Sequence, residues 1–166
     1  MTSFEALYNQ YFKPVYAYVV TRINDPAAAE DICAGTWKKC YEHLASYDEA
    51  KGTFSQWIFT IARNETNMYR RLFWVKHFFS LAQTPDDLLP GKEKSPLEQL
   101  EQDSLQRQLL AAMATLSEKE RDLLSLKFYS GLTNREIAAV TRLSESNVGT
   151  MLYRAVQKIR RYMEPL

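Results

Sequence analysis

The chain has 166 residues, 46% of them hydrophobic and 25% charged, with a formal net charge of +1. That supports one or two small domains with modest cores and excludes a disordered or low-complexity protein. No apolar run approaches the roughly 20 residues that cross a bilayer, and the Met-Thr-Ser-Phe-Glu start lacks the basic and apolar blocks of a signal peptide, so a cytoplasmic protein is expected.

Capping boxes, in which a Ser or Thr faces a Glu or Gln three residues on, mark helix starts at Thr2/Glu5, Thr53/Gln56, Ser95/Glu98, Ser117/Glu120 and Thr133/Glu136. Pro96 stands at the first helical position of the third of these, and Asp25-Pro26 gives a further start of the cap-plus-proline kind. Between these signals the apolar residues recur with helical spacing. Phe4, Leu7, Tyr8, Tyr11, Phe12, Val15 and Val19 form the first stripe, with an interruption expected near Pro14. Ala29, Ile32, Cys33, Trp37, Cys40 and Leu44 form the second, and Phe54, Trp57, Ile58, Ile61, Met68 and Leu72 the third. Cys33 and Cys40 lie two helical turns apart, about 10 Å, too far for a disulfide within the helix, and read as packing residues. No strand alternation or hairpin turn interrupts this pattern, so the fold class is all-α.

Gln83-Thr84-Pro85-Asp86-Asp87, Pro90-Gly91 and Lys92-Glu93-Lys94 break the helical pattern. Residues 84–103 carry six carboxylates against two lysines, a net charge of −4. Two small helical domains, 1–75 and 96–166, are therefore expected on either side of an acidic flexible linker, 76–95. Leu72-Phe73-Trp74-Val75 and Phe78-Phe79, just ahead of that linker, form an unusually apolar segment. It is either tucked against its own domain or a contact for a partner or membrane surface.

The C-terminal domain ends in the most informative stretch. Thr133 and Glu136 open a short helix, Val140 and Leu143 bracket a tight turn, and Ser144 caps a second helix with apolar Val148, Leu152, Ala155 and Ile159. The opposite face carries Ser146, Asn147 and Thr150, then Arg154 and Lys158. Short polar groups followed by cations suit a helix-turn-helix whose second helix meets base edges first and phosphates later. An ordinary helical hairpin is the competing structure. Residues 129–163 hold six cations against two carboxylates, a net of +4 that favours a nucleic-acid partner. No phosphate-binding glycine loop, nucleophile with paired His and Asp, or metal-ligand spacing is present. Neither an enzyme nor a cofactor or metal site is expected.

Motifs across both halves resemble the extracytoplasmic-function branch of the bacterial RNA polymerase sigma factors. In the N-terminal half they are Ala29-Glu30-Asp31-Ile32, Thr36-Trp37, Phe54 to Asn64 and Tyr69-Arg70-Arg71. In the C-terminal half they are Leu116 to Arg121, Glu136-Ile137-Ala138, Asn147-Val148 and Tyr153-Arg154-Ala155. The resemblance implies a promoter-specificity subunit that binds core RNA polymerase. Its second helix would dock on the β′ clamp helices through Asp31, Ile32, Thr36 and Trp37. The loop Ser46–Gly52 and the helix after it would capture the −10 element, with Tyr47, Arg63, Asn64, Arg70 and Arg71 as contacts. The helix-turn-helix would read the −35 element through Arg135, Ser144, Ser146, Asn147, Thr150, Arg154 and Lys158, and would touch the β flap. The acidic linker would thread toward the RNA path. An anti-sigma factor, often membrane-bound in this branch, is the implied inhibitor, and no small-molecule substrate is implied.

Opening DNA requires bases to be held out of the stack, at about 1–3 kcal/mol per stacked base, and Tyr47, Trp57 and Tyr69 lie in the right region to contribute. Four positions depart from the family pattern. Ala34 and Gly35 replace polar groups expected to touch the clamp, Met68 replaces an acidic residue, and Arg142 replaces the turn glycine. A free-standing helix-turn-helix regulator and a degenerate decoy that only sequesters a partner are the alternatives.

Overall fold

The computed structural model describes residues 2–80 and 104–164, and among these it is helical throughout, with no strand. Helix α1 (Phe4–Arg22) leads into α2 (Pro26–His43), a 3₁₀ turn (Leu44–Ser46), and the long α3 (Phe54–Ser80). Among the described residues of the C-terminal half, four helices follow: α4 (Ser104–Ala114), α5 (Glu118–Ser130), α6 (Asn134–Thr141) and α7 (Glu145–Met163).

Local chemistry sets most of these boundaries. Asp25 caps α2 by accepting from the Ala28 N–H, with Pro26 in the first turn. The reciprocal boxes at Ser117/Glu120 and Thr133/Glu136 form as expected and start α5 and α6. Thr53 accepts from the Gln56 N–H at the head of α3. The cap of α1 is Ser3 rather than Thr2, accepting from Ala6 at 3.2 Å. The Ser95/Glu98 box, Pro96 and most of the 76–95 linker lie outside the described residues, as do the side chains of Phe78 and Phe79. At its N-terminal edge the linker boundary moves, because α3 continues through Lys76 and His77 to Ser80. No Pro or Gly occurs there to stop it.

Pro14 does not break α1, which runs unbroken from Phe4 to Arg22. A proline removes one helical hydrogen bond, and the flanking turns are held by burial of Leu7 on one side and Val15, Tyr18 and Val19 on the other. Cys33 and Cys40 are both free and buried. Burial pushes their thiols up, to about 12 and about 11 respectively, so neither is a nucleophile at neutral pH.

The N-terminal core is made where α1, α2 and α3 meet, around Val19, Ala29, Cys40, Ile58 and Phe59. The C-terminal helices do not stand apart from it. Helix α5 packs along α1, and Leu123 and Leu126 join Tyr18 and Val19 in one continuous core. The two helical groups on either side of residues 81–103 thus pack against each other. Each half presents an apolar face that the other covers, and the free energy gained by removing both from water holds them together.

Candidate nucleic-acid and polymerase interface

The helix-turn-helix is α6 and α7 joined by Arg142-Leu143-Ser144. Ile137, Ala138 and Val140 of α6 are buried against Val148, Leu152 and Ala155 of α7. Gly149 lies where α7 faces α6, and a Cβ there would make ordinary van der Waals contact with the Asn134 side-chain nitrogen at 3.8 Å. Arg142 ends α6 in the left-handed region, φ 60° and ψ 26°, where glycine is the usual residue. The Ser144 hydroxyl accepts from the Asn147 N–H at 3.1 Å, so this side chain serves first as the cap of α7.

With that cap in place, α7 turns Ser146, Asn147, Thr150 and Arg154 to solvent, and Arg135 of α6 is exposed beside them. These residues lie together on the exposed side of the motif. Lys158 does not share that freedom. Its ammonium donates to both carboxylate oxygens of Glu120, at 2.7 and 2.9 Å, and pins α7 to the first turn of α5. That bond, against the opposing effect of burial, holds the Glu120 carboxyl below the usual carboxylate range.

In the N-terminal half the expected sites divide between surface and core. On α2, Asp31 is exposed, whereas Ile32, Thr36 and Trp37 are buried. The Thr36 hydroxyl donates to the Ile32 carbonyl at 2.7 Å, and Trp37 packs edge-on against Phe4 and Tyr8. Those three cannot touch a polymerase directly. They fix the orientation of the outer face of α2, which carries Glu30, Asp31, Ala34, Lys38, Tyr41 and Glu42. Gly35, half-buried, faces α3: a Cβ would stand 3.4 Å from a Glu65 carboxylate oxygen.

Tyr47 donates to the Gly52 carbonyl at 3.2 Å and packs on Phe54 and Trp57, so it braces the 47–53 loop. Burial, with Glu49 beside it, raises its hydroxyl above the ordinary tyrosine value. Trp57 is half-buried, between the core and an open groove of about 300 Å³ that it shares with Asn64, Lys39, His43 and Ser46. Asn64, Met68 and Arg71 are exposed.

Arg63 and Arg70 are engaged inside the molecule. Arg63 Nε donates to Asp122 Oδ2 at 2.8 Å, and Arg70 pairs with Glu118 while donating to the Arg22 carbonyl at 2.9 Å. Burial lowers the Arg70 pKa from the ordinary arginine value, with Glu118 opposing the shift. The other Asp122 oxygen accepts from the Tyr18 hydroxyl at 2.7 Å and lies 3.4 Å from Arg22, whose Nη1 also donates to Tyr18 and Asn67. Burial and the adjacent carboxylate push the Tyr18 hydroxyl far above its ordinary value. Sequence reading missed this network. Tyr18 and Asp122 are 104 positions apart, and nothing local marks either as the other's partner.

Comparison with known proteins agrees with the geometry in both halves. Residues 7–74 match the Sigma-70 region 2 family and residues 106–159 the Sigma-70 region 4 family, in that order. The chain is 29% identical to the ECF RNA polymerase sigma factor BldN of Streptomyces coelicolor over 97% of its own length, and spans 60% of that longer protein. It is 32% identical to the ECF RNA polymerase sigma factor RpoE of Cereibacter sphaeroides, covering 81% of this chain and 70% of the relative. Its fold is shared with the sigma factor RpoE of Bartonella quintana, solved in complex with the anti-sigma factor NepR, at a TM-score of 0.78, 20% identity and 96% coverage of both chains. The two matched regions, in one chain and in this order, leave no ground for a free-standing regulator: the chain belongs to the extracytoplasmic-function sigma factors of bacterial RNA polymerase.

Proposed function

We infer that the protein is a promoter-specificity subunit that directs transcription initiation by binding core RNA polymerase and recognising −10 and −35 elements. The observation that carries this is the presence, on one chain, of region 2 followed by region 4, the latter with an exposed polar recognition face on α7. In this reading Asn147 and Thr150 contact base edges of the −35 element, while Arg135 and Arg154 bind phosphate. The groove beside Trp57 and Asn64, with Arg63, Arg70 and Arg71 along α3, receives the opened −10 strand. The outer face of α2, from Glu30 and Asp31 to Tyr41, meets the polymerase. Polymerase performs the chemistry and the subunit supplies recognition alone.

Action on polymerase and promoter DNA puts the protein in the cytoplasm, and among the described residues no helix is long and apolar enough to cross a membrane. An anti-sigma factor is the regulatory partner that fits best, since the Bartonella quintana relative of the same fold was captured with one.

Binding of the fluorescently labelled protein to purified core RNA polymerase tests the reading. Saturable binding that another sigma factor competes away is expected. Asp31→Lys should weaken it about tenfold while leaving the melting temperature unchanged, because Asp31 is exposed. Trp37→Ala should instead unfold the domain, at a cost of about 3–5 kcal/mol.

A further inference from the structure

We propose that α3 and the turn between α1 and α2 form a binding site for a small, uncharged aromatic molecule that carries a carbonyl oxygen. The site goes beyond the promoter reading and does not depend on it.

A cavity of about 210 Å³ opens where the turn at Arg22–Asp25 meets residues 69–74 of α3. Its walls are mostly apolar, with buried Ile23 on one side and Tyr69, Phe73 and Trp74 on the other. The Tyr69 and Phe73 rings are one helical turn apart, with centroids at 6.2 Å and planes 25° from parallel, and Phe73 rests in turn on His77 at 4.0 Å. This ladder sets one flat side in advance, so binding there orders few side chains. Trp74 is 62% exposed and Phe73 40%. Large apolar rings left in water at the mouth of a cavity gain from a flat apolar partner. An apolar cavity of about 150 Å³ accepts benzene, so this one has room for roughly two fused rings.

The polar end sets the chemistry of the ligand. Arg22, itself 6% exposed, and Arg70 both line the cavity, and the buried Nε of each has no acceptor among the described residues. An unmatched buried N–H is costly, and here two of them, from two helices, border one cavity. They lack an acceptor but do not lack negative charge. The Arg22 guanidinium already lies beside Asp122 and that of Arg70 beside Glu118. Asp25, which caps α2, adds a further carboxylate to the lining. An anion would meet Asp25 with no unbalanced cation to hold it, and a cation would meet two guanidinium groups. A neutral carbonyl supplies lone pairs for the N–H groups and brings no charge to desolvate. Burial, and then Asp25 and Asp31, raise the Tyr69 hydroxyl above its ordinary value, so it too is a neutral donor at pH 7.

The test titrates four probes that share one fused-ring frame into the ¹⁵N-labelled full chain, followed by NMR. They are 1-indanone, indane, indane-1-carboxylate and protonated 1-aminoindane. The ketone should bind saturably and shift the Trp74 indole together with the amides of residues 22–25 and 69–74. Indane keeps the rings and loses the acceptor, and should bind about tenfold more weakly. The carboxylate and the ammonium should both bind more weakly than the ketone. Trp74→Ala, at an exposed position, should weaken the ketone about fivefold or more with an unchanged thermal melt. If that variant proves unfolded, the shift map and the comparison of ketone with indane on the wild-type chain carry the test. The proposal is overturned if the ketone does not bind saturably, if its shifts centre elsewhere, or if indane binds as well. Tightest binding by the carboxylate or the ammonium overturns it too. Such a failure leaves the promoter reading standing, since neither polymerase nor DNA enters the titration.

Discussion

Arg142 is the single residue whose backbone departs most from what its side chain prefers. A left-handed conformation costs an L-residue with a Cβ roughly 1–2 kcal/mol, and only glycine adopts it freely. Arg142→Gly should therefore stabilise the protein by about 1 kcal/mol, read as a higher urea midpoint with unchanged slope. An unchanged or lower midpoint would mean that the exposed guanidinium supplies compensation. Lys158 gives a second case. The Glu120 carboxyl is held below its unfolded value of 4.5, chiefly by the Lys158 hydrogen bond. A depressed carboxylate contributes stability that is present above the unfolded value and lost as pH falls through the folded one. Lys158→Met should lower stability at pH 7 and flatten the loss below about pH 4.5, so that urea midpoints of the two proteins converge at acid pH. Parallel curves would show that the pair contributes nothing to folding.

Among the elements, α7 was the most legible from sequence. Its cap, its buried stripe at Val148, Leu152 and Ala155, and its polar face all follow from residue spacing. The pairing of Lys158 was not legible, because its acceptor, Glu120, lies 38 positions upstream. The same limit affected α2, where spacing identified a helix but the family resemblance supplied the contacts. By spacing, Ile32 and Trp37 lie on the inward stripe and Thr36 next to it, and all three are buried. The face of α7 makes a graded prediction. Asn147→Ala should cost about 1–3 kcal/mol of affinity for duplex carrying the preferred −35 element and relax its specificity. Arg154→Ala should weaken all sequences alike and reduce the salt slope by about 1. Both would be measured as polymerase-bound affinity across a salt series. Equal, sequence-independent losses would remove Asn147 from base readout.

For the molecule as a whole, helix content, chain order and the identity of the two regions were readable, whereas their mutual packing was not. Local signals such as caps and periodicity act over a few residues. The contact of α5 with α1 and α3 depends on Tyr18, Arg22, Arg63 and Asp122, which no short-range rule connects. Charge asymmetry marks a basic end behind an acidic connector, and that connector lies outside the described residues. Among the described residues, carboxylates of α5 pair with arginines of α3. Removing one partner of such a buried pair typically costs about 3–5 kcal/mol.

Transcription of fragmented genomic DNA by core RNA polymerase, with and without the protein, addresses the assignment at its root. The protein should produce discrete new RNA 5′ ends whose upstream DNA shares one element near −10 and another near −35, and Asn147→Ala should erode the latter preference. New starts that share no upstream elements, or no new starts although the folded protein binds duplex DNA without polymerase, would show that it is not a promoter-specificity subunit.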